Sequence, residues 1–407
     1  MRGPRLRLDV GRPGPVVVTS GAYGVFSRGG GDRRVGVATG GNVLDAGAVA
    51  AELGAPFAPL LAGPVLNPFL AAGRAAWTEV RATVAEWLAA PSELVRTHLH
   101  PVAEVALHLP VEIADYVDFY SCEHHARNVG AIFRPGQEPL PPNWKHLPIG
   151  YHGRAGTVVV SGTDVVRPRG QRKPPGAAPT FGPSQRLDFE AEVGFVVGTP
   201  SALGEPVTVA EFADHVFGVV LLNDWSARDL QAWETVPLGP FLGKSFATSV
   251  SPWVVPLDAL AAARVAPPPR DPPPLDYLAD GDEAWGLNLA LEVRLNGHVV
   301  SRPPFASMYW TAPQQLAHLT VNGASLRTGD LYGSGTVSGP AADQRGSLLE
   351  LSWNGTAPLS LPDGSTRTFL ADGDEVVITA SAPGPDGTRV DLGSVAGRIL
   401  PASGARP

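Results

Sequence analysis

The chemically most suggestive feature of the sequence is a run in which acidic residues alternate with apolar ones. The segment Leu187–Val197 reads LDFEAEVGFVV and places Asp188, Glu190 and Glu192 at every second position. A period of two predicts a β-strand with these three carboxylates on one face. Neighbouring carboxylates on that face would lie about 6–7 Å apart and repel by roughly 2–3 kcal/mol at an effective dielectric near 20. Such a face is either solvated or, if buried, needs a cation, and all-oxygen ligation suits Ca²⁺ or Mg²⁺ rather than zinc.

Three further segments carry side chains that complement this strand. Residues 115–125 bring two Asp, two Tyr and two His together, and residues 221–231 place a polar run behind an apolar strand, where sites are often built. Residues 240–248 hold Lys244 in an otherwise apolar stretch, and a buried ammonium needs an anion or a metal-bound oxygen nearby. The chain contains only three lysines against 28 arginines, so the retention of Lys244 favours a site that needs an ammonium. Each segment alone can be structural, but together they predict one polar site.

Composition limits the class of protein that carries this site. With 407 residues, 44% hydrophobic and 17% charged, the chain is predicted to be globular with two domains. The 47 Gly and 42 Pro indicate many turns and short strands. A net charge of −8 argues against nucleic acid or an anionic membrane as the main partner, but it leaves a small anionic substrate open.

The cysteine count and the apolar runs indicate a compartment. Cys122 is the only cysteine, which excludes an internal disulfide and suits a reducing environment. We recognise no secretory signal at the N-terminus and no apolar run of membrane-spanning length. The expected location is therefore the cytoplasm.

The elements that must position the site fall into two regions, with a boundary predicted near residues 105–116. In the first region we predict short strands at 16–18, 35–38 and 42–45, and a helix near 68–90 that Asn67 caps and Pro91 ends. The second region reads as mostly β, with few helices. Its predicted strands are 157–161, 187–198, 287–295, 347–353 and 375–380, and its predicted long loops are 167–185 and 266–283.

Five long segments, in this order along the chain, are similar to the signature blocks of the fumarylacetoacetase family. They are Asp115–Gly130, Asn143–Arg154, Asn223–Gln231, Pro237–Phe246 and Gly346–Trp353, and the similarity extends into the first region through Tyr23–Ser27 and residues 66–90. The resemblance implies a mostly β chain, with an N-terminal SH3-like barrel domain at 1–112 and a C-terminal mixed β-sandwich roll at 113–407. It further implies a homodimer and hydrolysis of 4-fumarylacetoacetate to fumarate and acetoacetate, the last step of tyrosine and phenylalanine catabolism.

The resemblance also assigns roles to individual residues. It implies a divalent cation, Mg²⁺ or Ca²⁺, with metal ligands at Asp118, Glu190, Glu192 and Asp224, and with Lys244 and Thr248 beside the ion. Asp188 is left out of that ligand set. His125 matches the catalytic base and Glu350 its carboxylate partner, whereas strand geometry alone would not choose between His124 and His125. Positions that match the oxyanion-stabilising set are Arg228, Gln231 and Lys244, and those that match substrate contacts are Tyr120, Arg134, Tyr151, Gln231, Thr235 and Thr336.

One position departs from the family pattern and keeps a rival hypothesis open. Thr235 stands where the family commonly has a substrate-contacting tyrosine, and its hydroxyl reaches less far. Either a water bridges the gap, or the pocket prefers a related diketo acid, as in a hydrolase or decarboxylase of the same superfamily. A hypothesis of a different class is a non-catalytic protein in which a cation only stabilises the fold.

Overall fold

The computed structural model describes residues 18, 19, 21–281 and 283–404. The predicted strand at 16–18 lies outside these residues except for Val18, which forms a β-bridge with Leu392. The mostly β prediction is confirmed, because a 13-stranded sheet and a five-stranded sheet dominate the described chain. No helix in the described ranges is both long and apolar enough to cross a membrane.

The first region combines five strands with a layer of helices. The strands are β1 (Tyr23–Ser27), β2 (Arg34–Thr39), β3 (Asn42–Asp45), β4 (Leu99–Pro101) and β5 (Ala106–His108). The helices are α1 (Ala46–Glu52), α2 (Ala58–Leu61), α3 (Asn67–Ala71), α4 (Gly73–Ala89) and α5 (Glu93–Thr97). Strand β1 pairs with β2 along one edge and with β5 on the other, and β2 pairs with β3 and β3 with β4, so these short strands belong to one sheet.

The second region contains the remaining strands and five α-helices. The strands are β6 (Tyr116–Phe119), β7 (Gly150–His152), β8 (Val158–Val160), β9 (Val165–Val166), β10 (Arg169–Arg172), β11 (Thr180–Pro183), β12 (Leu187–Asp188), β13 (Ala191–Val197), β14 (Val216–Asp224), β15 (Ser226–Ala227), β16 (Thr248–Val250), β17 (Trp253–Pro256), β18 (Arg264–Val265), β19 (Gly286–Leu287), β20 (Ala290–Leu295), β21 (His298–Ser301), β22 (Leu331–Gly333), β23 (Leu359–Ser360), β24 (Thr366–Arg367), β25 (Glu375–Pro383) and β26 (Arg389–Leu400). The helices are α6 (Glu123–Phe133), α7 (Phe212–His215), α8 (Arg228–Glu234), α9 (Ala312–Thr320) and α10 (Leu348–Leu351).

The two regions share a sheet and a core. The large sheet runs in the order β4-β3-β2-β1-β17-β14-β13-β22-β6-β7, so β1 of the first region pairs directly with β17 of the second. Phe217 of β14 stacks edge-on against Tyr23, Phe69 and Trp77 of the first region. The division at residue 112 stays a prediction. The contacts above show that the two regions pack together, but they do not show at which residue one region ends.

One local prediction is confirmed only in part and another is wrong, each for an identifiable reason. The helix predicted at 68–90 is broken into α3 and α4 at Gly73, whose φ of +81° lies in the left-handed region that glycine tolerates. The Asn67 side chain does not cap the helix. Its amide NH₂ donates to the carbonyl oxygen of Glu112, and its amide oxygen accepts from the backbone N–H of Glu112. The strand predicted at 347–353 is instead the helix α10, whose N-cap Ser347 accepts a hydrogen bond from the backbone amide of Glu350.

The other predicted elements are confirmed with changes in extent. The acidic strand is interrupted between β12 and β13, so Phe189 and Glu190 belong to neither. Residues 167–185 are not all loop, because β10 and β11 form a hairpin there. The predicted strand 287–295 begins as β19 and resumes as β20, and the described part of 266–283 is a loop with one short 3₁₀ turn at Asp276–Leu278.

Candidate active site and metal centre

Strand pairing brings four carboxylates from distant parts of the chain together. Strand β22 lies between β13 and β6, with Gly333 opposite both Gly194 and Asp118, while β14 flanks β13 on its other side. One oxygen from each of four buried residues lies within 4.8 Å of the others. These residues are Asp118, Glu190, Glu192 and Asp224, and we call them the acidic cluster.

Two buried cations face the acidic cluster. The Lys244 ammonium donates to Glu190 and, at 2.6 Å, to Asp224 Oδ2. The Arg228 guanidinium donates to Glu190 Oε1 at 2.6 Å. The hydroxyl of Thr248 lies 3.3 Å from Asp224 Oδ1 and that of Tyr151 lies 3.4 Å from Asp224 Oδ2. Two positive charges cannot balance four carboxylates, and both cations lie on the Glu190 and Asp224 side.

The other two carboxylates of the acidic cluster, Asp118 and Glu192, have few partners within the described chain. Asp118 Oδ1 and Glu192 Oε1 are buried without a hydrogen-bond partner. Burial, together with the neighbouring carboxylates, raises the pKa of Glu192 and of Asp118 well above the ordinary range. For Glu190, burial alone would raise the pKa, but Arg228 and Lys244 outweigh it and lower the value.

The shape of the cluster is consistent with a hard divalent ion. A Cβ added at Gly333 would lie 2.8 Å from Glu192 Oε2 and 3.3 Å from Asp118 Oδ1, so the backbone there leaves space that any other residue would fill. Carboxylate oxygens without nitrogen or sulfur ligands suit Mg²⁺, Ca²⁺ or Mn²⁺. The acidic cluster can therefore hold a metal ion, and the four residues are those expected from the sequence.

A histidine–carboxylate pair lies beside the cluster. His125 Nδ1 is 2.7 Å from Glu350 Oε2. An ionised carboxylate can only accept, so Nδ1 carries the hydrogen and Nε2 is left with a free lone pair when the ring is neutral. Nε2 points toward the cluster, 3.8 Å from Glu190 Oε1. This geometry is that of a general base whose ring is oriented by a carboxylate.

The Glu350 carboxylate is saturated with donors. Besides His125, it accepts hydrogen bonds from Asn128 at 2.8 Å, Ser347 at 2.8 Å and Ser338 at 3.0 Å. Burial alone would raise the pKa of Glu350, but His125 and these donors lower it. The group is consequently held ionised and fixed in place.

Helix α6 explains why His125 rather than His124 occupies this place. Strand geometry does not apply to these two histidines, because both are helical. Adjacent residues on a helix differ by about 100°, so only one of them can point inward. His125 is buried and lines the site cavity, whereas His124 is half-buried and does not line it.

One cavity of about 600 Å³ joins these groups. Most of the residues predicted from the sequence line it: Asp118, Tyr120, His125, Arg134, Tyr151, Glu190, Glu192, Arg228, Gln231, Thr235, Lys244 and Thr336. The three that do not line it are Asp224, Thr248 and Glu350, and all three are buried. Asp224 bonds to the lining residue Lys244 and Glu350 to the lining residue His125, whereas Thr248 bonds to Asp224.

Sequence reasoning missed two parts of the site. The apolar wall of the cavity consists of Val129, Phe133, Ile149, Ala232, Val236 and Leu238, which carry no chemical signature. The Glu350 donors Asn128, Ser338 and Ser347 were also missed. The spacing of Ser347 and Glu350 is the capping-box pattern, and it is a signal that would have identified Ser347 and the helix together.

Thr235 lines the cavity, but its hydroxyl hydrogen is engaged by the backbone. Its hydroxyl donates to the carbonyl oxygen of Gln231 at 2.6 Å, one helical turn earlier. A bond of that kind occupies the hydroxyl hydrogen, so Thr235 presents mainly its methyl group and an acceptor lone pair.

Comparison with known proteins gives the family. Residues 22–110 match the family model described as Fumarylacetoacetase N-terminal, and residues 115–399 the one described as Fumarylacetoacetate (FAA) hydrolase C-terminal. Curated relatives named fumarylacetoacetase include the Arabidopsis thaliana protein, 47% identical over 97% of this chain and 98% of its own length. The Homo sapiens protein is 48% identical over 93% of this chain and 95% of its own length.

Solved structures agree on the fold. A fumarylacetoacetate hydrolase from Exiguobacterium antarcticum superposes with a TM-score of 0.56 at 16% identity, over 95% of this chain and 100% of that one. A maleylpyruvate hydrolase from Sphingobium sp. SYK-6, in complex with manganese(II) and pyruvate, gives 0.53 at 16% identity, over 94% and 100%. Since both family models match in order and relatives at 47–48% identity cover more than nine-tenths of its length, the chain belongs to the fumarylacetoacetase family.

Proposed function

We propose that this chain hydrolyses the carbon–carbon bond between the two keto groups of 4-fumarylacetoacetate, yielding fumarate and acetoacetate. The observation that carries the proposal is that His125, held by Glu350, lines the same cavity as the acidic cluster, with its Nε2 3.8 Å from Glu190 Oε1. The curated relatives bear the name of this activity at 47–48% identity. The reaction is the last step of tyrosine and phenylalanine breakdown.

The acidic cluster supplies the cofactor site of this proposal. We infer Mg²⁺ or Ca²⁺ as the ion, because all four candidate ligands are carboxylates. When bound, such an ion polarises carbonyl oxygen and makes the carbonyl carbon easier to attack. A related hydrolase of the same fold has been solved with manganese(II), which is also an oxygen-preferring ion.

The side chains of the site account for the proton transfers. His125 Nε2 takes a proton from water, and the resulting hydroxide adds to the carbonyl carbon of the fumaryl group. Glu350 stays ionised and stabilises the imidazolium without taking its proton. When the carbon–carbon bond breaks, its electron pair passes to the acetoacetate carbon, and the proton held by His125 returns there. Water is thereby divided between the two products.

Three cationic or polar groups stabilise the negative oxygen that forms on the attacked carbonyl. Lys244 has three N–H donors and uses two on Glu190 and Asp224, so one remains. Arg228 NH1 donates to Gln231 Oε1 at 3.2 Å and keeps a second N–H, and the Gln231 amide keeps its own donors. Removal of one such donor costs about 10²–10³-fold in kcat.

The remote carboxylate of the substrate is proposed to bind beside Arg134. Arg134 lines the cavity and donates to the carbonyl oxygen of Pro139 at 2.5 Å, which fixes the guanidinium while other N–H groups remain. Tyr120, Tyr151 and Thr336 line the cavity as well. We assign these residues to substrate binding.

A second candidate function is the cleavage of a related diketo acid. The observation that favours it is the occupied hydroxyl of Thr235 beside the apolar side chains of Val236 and Leu238. This wall accepts an apolar substituent more readily than a carboxylate.

Loss of fumarylacetoacetate absorbance, with and without a chelator, tests both functions and the non-catalytic alternative. Chelator-sensitive loss, with fumarate and acetoacetate formed in equal amounts, is the expected result. Faster cleavage of an acylpyruvate would favour the second function. No turnover of any diketo acid by metal-loaded protein would contradict both.

We further propose a homodimer. Support comes from the rim of the cavity, where Val236, Leu238 and Phe241 are 85%, 97% and 63% exposed on one loop. Adjacent large apolar side chains in solvent are typical of a surface that a partner covers. Sedimentation equilibrium at micromolar concentration distinguishes a dimer from a monomer. The cytoplasmic location stays a prediction.

A further inference from the structure

Asp188 belongs to the acidic run in the sequence but lies apart from the acidic cluster. It is completely buried, and it is neither among the four clustered carboxylates nor among the residues that line the cavity. A fully buried carboxylate is stable only with strong partners. The identity of those partners shows what Asp188 does.

The Asp188 carboxylate joins two structural elements. Arg228 is the first residue of helix α8, and its Nε and NH2 each lie 2.8 Å from Asp188 Oδ2. The first two amides of helix α10 donate to the same carboxylate, Leu348 N to Oδ1 at 2.7 Å and Leu349 N to Oδ2 at 3.1 Å. Asp188 therefore holds α8 and α10 against each other.

Each element carries one half of the proposed machinery. Arg228 donates onward to Glu190 and Gln231 on the side where negative oxygen forms. Helix α10 carries Glu350, which orients His125 on the side where water is activated. A shift of either element relative to the other would change the separation between the base and the oxyanion donors.

We propose that Asp188 is a positioning residue that fixes Arg228 and the Glu350–His125 pair at a set separation without contacting substrate or metal. The inference rests on the proposed hydrolysis. A misplacement of about 1 Å in such a constellation can cost about 10²-fold in rate.

Asparagine cannot take over this role. Both carboxylate oxygens accept: Oδ1 from the amides of Phe189 and Leu348, and Oδ2 from Leu349 and Arg228. In either orientation the amide NH₂ of asparagine would face donors, so at least one of the two elements must move away.

The chain offers a matched control in Asp374. This carboxylate is also buried, pairs with Arg367 at 2.8 and 2.9 Å, and accepts from the backbone amide of Ala371 at 2.8 Å. It is not part of the acidic cluster or of the cavity lining. Asp374→Asn therefore reports the cost of breaking a buried carboxylate–arginine pair without affecting catalytic geometry.

The experiment compares wild type, Asp188→Asn and Asp374→Asn for kcat, KM, bound metal and Tm. For Asp188→Asn we expect kcat to fall about 10²-fold or more, with KM within about threefold and normal metal content. For Asp374→Asn we expect a lower Tm with kcat unchanged. If both variants lose Tm and Asp188→Asn keeps a near-normal kcat, Asp188 is merely structural and the proposal is overturned.

Two further measurements keep the proposal falsifiable. If Asp188→Asn does not fold, Asp188→Glu keeps the charge but is one methylene too long to bond both elements, and the same loss of kcat at constant KM is expected. A crystal structure of the folded variant should show Arg228 and α10 displaced relative to each other, and unmoved elements would overturn the proposal. That structural result does not depend on activity, whereas absence of turnover by wild type would contradict only the proposed function.

Discussion

Glu192 and Glu350 are both fully buried carboxylates on the same cavity system, yet their surroundings differ in kind. Glu350 accepts from His125, Asn128, Ser338 and Ser347, and its pKa is lowered. Glu192 accepts from the backbone amide of Gly335 at 3.0 Å through one oxygen, has no partner on the other, and has a raised pKa.

The difference indicates which part of the site is complete within the chain. Leaving a buried charge without a partner costs several kcal/mol. A carboxylate that the chain itself does not satisfy therefore indicates a partner from outside the chain. The His125–Glu350 pair is self-sufficient, whereas the acidic cluster needs a cation.

The largest effect is expected from Glu192→Gln. Removing one of four ligand charges should abolish tight metal binding and lower activity by about 10³-fold or more, since the metal contributes several kcal/mol. The metal-free protein should not lose stability, because the repulsion within the cluster falls. Metal analysis, kinetics and Tm measured on one preparation test this. Full activity of exhaustively metal-stripped wild type would contradict the metal requirement.

Glu350→Gln should lower the stability and leave the bound metal unchanged, which is the opposite of the result expected for Glu192→Gln. The glutamine NH₂ group would face side chains that donate to Glu350, and the neutral amide would no longer stabilise the His125 imidazolium. We therefore expect kcat to fall about 10²–10⁴-fold. Tm should fall as well, while bound metal stays normal because no cluster ligand has changed. If Glu350→Gln instead lost metal and kept its Tm, the two carboxylates would not differ as described.

Lys244→Arg tests a cation that faces the acidic cluster and is also assigned to the oxyanion site. Lys244 keeps a spare N–H beside the cluster, and a planar guanidinium is too wide to occupy the same position. We expect kcat and kcat/KM to fall together by about 10²-fold, with metal content largely retained. Near-normal kcat with normal metal would show that the lysine is dispensable. Joint loss of metal and activity would reassign it to support of the ion.

The pH dependence of stability distinguishes the acidic cluster from Glu350 without a mutation. Asp118 and Glu192 have raised pKa values, so above the ordinary carboxyl range the metal-free folded state binds more protons than the unfolded state. Its stability should therefore rise as the pH falls toward that range, about pH 4. Glu350 has a lowered pKa, and its contribution is lost only below about pH 4. Metal-loaded protein should lack the rise, and identical Tm profiles with and without chelator would contradict the comparison.

Thr235→Tyr should have the smallest effect. A tyrosine at this cavity-lining position adds a hydroxyl that can reach the substrate, so KM for fumarylacetoacetate should fall a few-fold while kcat stays nearly constant, as for uniform binding. Steady-state kinetics with fumarylacetoacetate and an acylpyruvate measures the preference. A large fall in kcat, with the acylpyruvate cleaved better by wild type, would favour the second candidate function.

Much of the site could be predicted from residue types and from the family resemblance. Oxygen ligands, a histidine near a carboxylate and a retained lysine are properties of the sequence, and the structure places those side chains around one cavity. The local errors arose where a short pattern suits two structures. Ser347–Trp353 has an apolar alternation that fits a strand, but its capping-box spacing favours the helix that is present.

The sequence by itself determined that this chain has the side chains for a hard cation, a general base and an oxyanion site. Strand periodicity could not decide which members of the acidic run serve which purpose, because a period of two treats Asp188, Glu190 and Glu192 alike, and the family resemblance left Asp188 out of the ligand set without a physical reason. The tertiary structure supplies that reason. The strand breaks after Asp188, so that carboxylate turns to Arg228 and helix α10, while β22 and β14 on either side of β13 bring Asp118 and Asp224 to the other two. Those partners are more than 30 residues away in the chain, and only long-range strand pairing can choose among them.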